Sequence, residues 1–241
     1  MDGAAAGDMH GSAARLGRVP GEPTLVRDAL VVVLTFVSGA TDALGFVRLG
    51  NVFTSVMTGN MVLLGVAAGR QQAALALHAG DAFVGFVVGA LVGARVAGRP
   101  VEAQPMWPRA VSRALAVELL AFIVVAAWWE AVGGHPTTDT TYALLAVNAV
   151  ALGIQSSAII RFGVAGLSST YLTGTLTTFV ASLATRSGPF PRRSLALLVS
   201  VVVGAALGGV LTVEVPRAAP LVPIVLVVAV LVSARRSFAT P

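Results

Sequence analysis

Six stretches of mostly apolar sequence, each about the length needed to cross a lipid bilayer, constrain this chain more than any other feature. They run from Ala29 to Val47, Ala79 to Ala97, Ala114 to Val132, Tyr142 to Ile160, Ser194 to Val213 and Ala218 to Ala234. Hydrocarbon offers no water to backbone amides, so such segments must close their hydrogen bonds internally as helices. Only 11% of the 241 residues are charged, against about 25% in a soluble domain. The expected fold is therefore an all-α integral membrane protein with no large soluble domain.

Two further apolar segments, Met57–Ala68 and Leu172–Ala184, are shorter. Runs of roughly 10–14 apolar residues are more often re-entrant or interfacial than spanning. The arginines arbitrate, because cytoplasmic loops are enriched in basic residues. If all eight segments cross from a cytoplasmic N-terminus, nine of the 16 arginines fall inside and seven outside. If both short segments return to the face they left, thirteen are inside and only Arg48, Arg70 and Arg217 are outside. One re-entrant segment alone gives at best eleven to five. Six crossings plus two re-entrant half-helices, with both termini cytoplasmic, fit the charge asymmetry best. A short full crossing by residues 52–68 stays open at this point.

Each short segment opens with a polar break. The first reads Arg48-Leu49-Gly50, then Thr54-Ser55-Val56-Met57-Thr58-Gly59-Asn60; the second reads Arg161-Phe162-Gly163, then Ser169-Thr170-Tyr171-Leu172-Thr173-Gly174-Thr175. The two Thr-Gly pairs are 115 positions apart. The same offset relates Gly85, Gly89 and Gly93 to Ser200, Gly204 and Gly208. Upstream the offset is 113, which pairs Arg48 with Arg161 and Asp42 with Gln155. The chain thus divides into a flexible cytoplasmic tail (1–27), a first membrane repeat (28–135), a second (136–236) and a short C-terminal tail (237–241). Three crossings per repeat make the second copy inverted, an architecture recurrent among secondary transporters. A plain duplication with eight full spans would make the copies parallel. The small-residue ladders let helix backbones approach closely, and they serve as seams between the repeats or at a homodimer contact.

Candidate functional residues follow from this pattern. Thr58, Gly59, Asn60 and Thr173, Gly174, Thr175 stand where half-helices begin. Helix N-termini expose amides that suit an anionic or polar oxygen, although structural capping alone would also use these residues. Gln155 lines a polar interior with them, beside Asn148. Asp42, Arg48 and Arg161 are candidates to gate or neutralise charge, and Asp42 and Arg48 to pair. Glu118, about one turn inside the cytoplasmic boundary near Arg113, is a candidate proton carrier or an interfacial residue. Trp107, Trp128 and Trp129 fit an interfacial aromatic belt.

Other chemistry is poorly represented. The chain has no Cys and three scattered His, so no thiol nucleophile, disulfide or metal cluster is expected, and no cofactor. No paired carboxylates or nucleophile–base set suggests an enzyme. No basic stripe with interleaved aromatics suggests nucleic-acid binding. Residues 1–27 lack the apolar core of a cleavable signal peptide.

The motifs Ser38-Gly39-Ala40-Thr41-Asp42-Ala43-Leu44-Gly45-Phe46 and Met57-Thr58-Gly59-Asn60-Met61-Val62-Leu63-Leu64-Gly65 resemble the first motif of the YoaK-type membrane proteins. Gly153-Ile154-Gln155 and Tyr171-Leu172-Thr173-Gly174-Thr175-Leu176 resemble the second. The similarity covers roughly residues 28 to 235, and Thr41 and Ser157 depart from the pattern. The resemblance implies a multi-pass protein of the bacterial inner membrane and supplies no substrate. From the residues themselves the leading reading is a small secondary transporter or permease for a small polar or anionic substrate. A membrane scaffold or sensor, and a channel, are its rivals.

Overall fold

A computed structural model describes residues 22–98, 105–163, 171–185 and 190–238. All regular structure in them is helical: α1 (Glu22–Arg48), α2 (Met57–Gly69), α3 (Ala73–Ala97), α4 (Arg109–Ala131), α5 (Thr138–Ile160), α6 (Leu172–Thr185), α7 (Arg192–Glu214) and α8 (Leu221–Phe238). Six are long and apolar enough to cross a membrane, and α2 and α6 are not. The long helices overrun the apolar stretches because polar ends are tolerated where they find partners. Thus α1 starts at Glu22, ahead of the boundary at 28, with Arg27 paired to Asp28 at 2.7 Å and Arg193 3.6 Å from the same carboxylate. Likewise α8 runs two residues past 236. Pro108 and Pro191 immediately precede α4 and α7, where a missing N–H is harmless.

Two intimate helix pairs build the bundle: α1 with α7, and α3 with α5. The ladders make both. Along α7, Ser200 donates to Val32 O at 2.7 Å, Gly204 lies on Phe36, and Gly208 on Ala40. Along α3, Gly85 lies on Ala146, Gly89 on Val150 and Gly93 on Ile154. Contacts advance in the same direction on both partners, so each pair runs parallel. The ladders are therefore packed within the chain, each against a neighbouring helix of the bundle, as the first of the two expected seams. Helix α4 then packs on α5 and α8, and α8 on α1. The outcome places α1 and α5 at the centre, 67% and 61% buried over their apolar windows, against 22–33% for the other four. The outer surfaces are apolar: Val199, Val202, Val203, Leu207, Val210 and Val213 of α7 are all exposed, as lipid-facing residues must be.

Cross-contacts fix which helix ends share a face. At one face His78, early in α3, stacks on Tyr142, early in α5. There too Trp129, late in α4, donates to Pro216 O at 2.9 Å, just after α7. At the other face Trp107, ahead of α4, packs on Phe162 just after α5 and on Phe238 at the end of α8. The start of α1 and the end of α8 therefore lie on one face. Trp107 and Trp129 are 5% and 1% exposed, so they fasten helix ends internally; of the expected aromatic belt, Trp128 alone is exposed.

Candidate functional site

The break between α1 and α2 is built around Asp42. One carboxylate oxygen accepts the backbone N–H of Thr54 at 2.7 Å, the Thr54 hydroxyl at 2.9 Å and the backbone N–H of Ser55 at 2.8 Å. The other accepts the Ser55 hydroxyl at 2.5 Å. Asp42 lies six residues before the end of α1, about 9 Å along the axis. The chain therefore leaves α1, turns back inward to the level of Asp42, and only then starts α2. Gly50 permits the reversal. Its φ is 106°, a conformation open to glycine, and a Cβ there would lie 2.5 Å from the His78 ring. Helix α2 returns to the face where α1 ended, because Gln72, Ala74, Leu75 and His78 line one cleft there with Phe46, Gly50 and Asn51.

Asn60 completes the anchor. Its Oδ1 accepts the Phe53 N–H at 3.0 Å and its Nδ2 donates to Phe53 O at 2.6 Å, so it pins the loop from the helix side. Thr175 holds the matching place in α6 and is also buried, its hydroxyl donating to Tyr171 O at 3.2 Å. Thr58 and Thr173 are exposed, with Gly59 and Gly174 half-buried. No side chain caps α2: its N-cap position is Val56, so Thr58 and Asn60 are not caps. The second break's Ser169 and Thr170 lie outside the described residues.

The charged candidates separate. Arg48 does not pair with Asp42; it donates to Thr212 O at 3.3 Å, in the last turn of α7. Arg161 donates to Ala97 O at 2.8 Å, the last residue of α3. Both arginines thus satisfy carbonyls at the end of a ladder helix, where a cation also meets the negative end of the dipole. Ala97 and Thr212 are themselves 115 positions apart.

Most interior polar residues of the six long helices lie on the two central ones. Gln155 Nε2 donates to Leu34 O at 3.1 Å and to the Ser38 hydroxyl oxygen at 2.8 Å, joining α5 to α1. Thr35, Ser38 and Thr41 return their hydroxyls to carbonyls one turn earlier, and Asn148 does the same with its amide. Sequence spacing paired Gln155 with Asp42, and packing shifts this by one. Gly39 presses on Val201 and Ala205, and Gly153 on Phe86 and Ala90. These glycines are 114 apart in unbroken helices, so Asp42 corresponds to Ser156 and Gln155 to Thr41. Thr54, Ser55, Phe53 and Ser38 join the site without being among the residues that the sequence pattern predicts for it. The visible signal was a Thr-Ser pair within reach of a lone intramembrane Asp.

Glu118 also moves. Because α4 starts at Arg109, Glu118 lies nine residues inside the helix, not one turn from its edge. It is 0% exposed, whereas Arg113 is on the exposed side of α4.

These features define a polytopic helical membrane protein whose spans are interrupted, at α2, by an anchored break that returns to its own face. Comparison with known proteins specifies it further. Residues 30–233 match the family described as "Protein of unknown function (DUF1275)", and the chain belongs to that family. It is 33% identical over 160 residues to the "UPF0700 transmembrane protein YoaK" of Bacillus subtilis (strain 168), an alignment covering 66% of this chain and 68% of that one. No solved structure matches.

Proposed function

We propose that this chain is a small secondary transporter or permease of the bacterial inner membrane, with both termini cytoplasmic, built from two inverted repeats. The observation that carries the reading is the Asp42-anchored break, which starts a half-helix within the bundle and returns it to its own face. Broken helices of this kind supply substrate sites in secondary transporters. Several correspondences support the repeats: α1 on α7 answers α5 on α3, the ladders fall in step, and Arg48 and Arg161 end opposite ladder helices. Inversion follows from direction, since α1 is parallel to α7, α5 is parallel to α3, and α3 begins where α1 ends. Of the twelve arginines in the described residues, nine lie at the face shared by the start of α1 and the end of α8, which on the positive-inside rule is cytoplasmic.

The substrate is a small polar or anionic molecule met by the Thr58 hydroxyl with the uncapped amides of Thr58 and Gly59, by the equivalent hydroxyl and amides of Thr173 and Gly174 at the start of α6, and by the Gln155–Ser38 link. Asn60, Thr175, Asp42, Arg48 and Arg161 hold the framework around it. The scaffold reading loses its main surface, because the ladders are occupied internally.

Two measurements test this. In intact cells, an impermeant thiol reagent is expected to label Arg70→Cys and His135→Cys and to spare Met106→Cys and Phe190→Cys. Equal labelling at all four would remove the topology. In a thermal-shift screen of purified protein, at least one small anion or polar solute is expected to raise the unfolding temperature. The double substitution Thr58→Val, Thr173→Val should cut that shift by half or more; an unchanged shift places the site elsewhere.

A further inference from the structure

One polar side chain in the described interior is left wholly outside this framework. Glu118 sits on the buried stripe of α4, with Ala114, Leu115 and Phe122 as its neighbours one turn away, all 0% exposed. Neither of its carboxylate oxygens has a hydrogen-bond partner. The contrast with Asp42, which receives four donors in the same bundle, is chemical. Four donors replace the water around a carboxylate; an apolar stripe replaces nothing. An ionised carboxylate without partners is among the costliest groups to bury, and it takes up a proton instead.

The ionisable groups on the surrounding helices do not relieve it. On α4 itself they are Arg109, Arg113 and Glu130; on α5, Asp139 and Tyr142; on α8, Arg235 and Arg236; on α3, His78, Asp81 and Arg95. Most lie toward the ends of their helices; Asp81, eight residues into α3, has one buried oxygen without a partner, and none of these groups hydrogen-bonds or ion-pairs with Glu118. Leu or Met would fill the same space at lower cost, so a carboxyl here is unexplained by packing.

We propose that Glu118 is a proton-binding site that exchanges its proton only when α4 parts from α5 and α8, and that the protein is thereby coupled to protons. The proton site stands on the geometry of α4 alone; the coupling of substrate to it rests on the permease reading above. The sign is fixed by the packing. The closed bundle holds the neutral carboxyl, and the carboxylate needs water, so alkaline conditions favour the parted arrangement.

The full chain in lipid nanodiscs provides the test. Its infrared spectrum at neutral pH is expected to contain the carbonyl stretch of a carboxylic acid free of hydrogen bonds, absent from Glu118→Gln and retained in Glu130→Gln. Amide hydrogen exchange in the middle of α4 and α8, corrected for intrinsic rate, should rise severalfold from mildly acidic to mildly alkaline buffer. In Glu118→Gln and in Glu118→Met, which preserves volume and guards against a folding defect, that rise should vanish. A band that persists without Glu118, or an unchanged rise in both variants, overturns the proposal. Neither readout uses a substrate, so this failure leaves the permease reading untouched. An intact proton signal beside an unchanged ligand shift in the Thr58→Val, Thr173→Val protein would instead place the substrate site elsewhere and leave the proton site standing.

Discussion

Replacing Asp42 by alanine is expected to destabilise the protein by about 3–5 kcal/mol, whereas Asp42→Asn should cost less than about 1.5 kcal/mol. Alanine strands the N–H groups of Thr54 and Ser55 and two hydroxyls, all in positions that α1 and the loop itself shield from water. In a membrane interior no solvent replaces the lost acceptor, so the full desolvation cost is felt. Asparagine retains an oxygen able to accept both amides, and its NH2 group can donate to a reoriented Ser55 hydroxyl. The expected observables are an unfolding temperature in detergent that falls sharply for Asp42→Ala and little for Asp42→Asn, with rapid proteolysis at residues 49–56 only in the former. Equal loss in both variants would mean that the negative charge itself is required, and would restore Asp42 to a titrating or gating role.

The same contrast explains what was legible in the sequence. Spans are read from a bulk property, since about 20 apolar residues are long enough to cross lipid whatever their neighbours. All six therefore reappear as long helices with both short segments distinct, and their boundaries shift by at most seven residues, the largest shift being at the start of α1, where Arg27 pairs with Asp28. Side-chain roles depend instead on which helix face meets which neighbour. Arg48 lies six residues from Asp42 in the sequence, yet its guanidinium reaches α7, because α7 rather than the loop lies alongside. Asn60 looked like a ligand group for the same reason that it makes a good loop pin: a buried amide both donates and accepts. Glu118 was misplaced because the apolar stretch begins at Ala114, whereas the helix begins five residues earlier. A single missing residue between Gly153 and Arg161, relative to Gly39 and Arg48, hid the register of α5; only the close contacts of the two glycines expose it.

Those contacts lead to the other large effect. Gly208→Ala and Gly93→Ala are each expected to lower stability by about 2–4 kcal/mol, while Gly209→Ala, one residue from the first, should be neutral or stabilising by up to about 1 kcal/mol. A Cβ on Gly208 would lie 2.6 Å from Ala40 Cα and 2.7 Å from Ala40 O, and one on Gly93 2.8 Å from both Ile154 Cα and Ile154 O. These obstacles are backbone atoms, so no rotamer change relieves them and the helices must separate. Around Gly209 nothing lies within 4 Å, and alanine there only gains helix propensity. Thermal unfolding of the three variants in one detergent separates the alternatives. Comparable losses at Gly93 and Gly208 would follow from equivalent seams, α3 on α5 and α7 on α1. A loss confined to one would show that the seams are not equivalent, and the inverted repeat would lose its strongest physical support. A loss at Gly209 as large as at Gly208 would mean that this face of α7 is also packed, against a second copy or another protein rather than lipid.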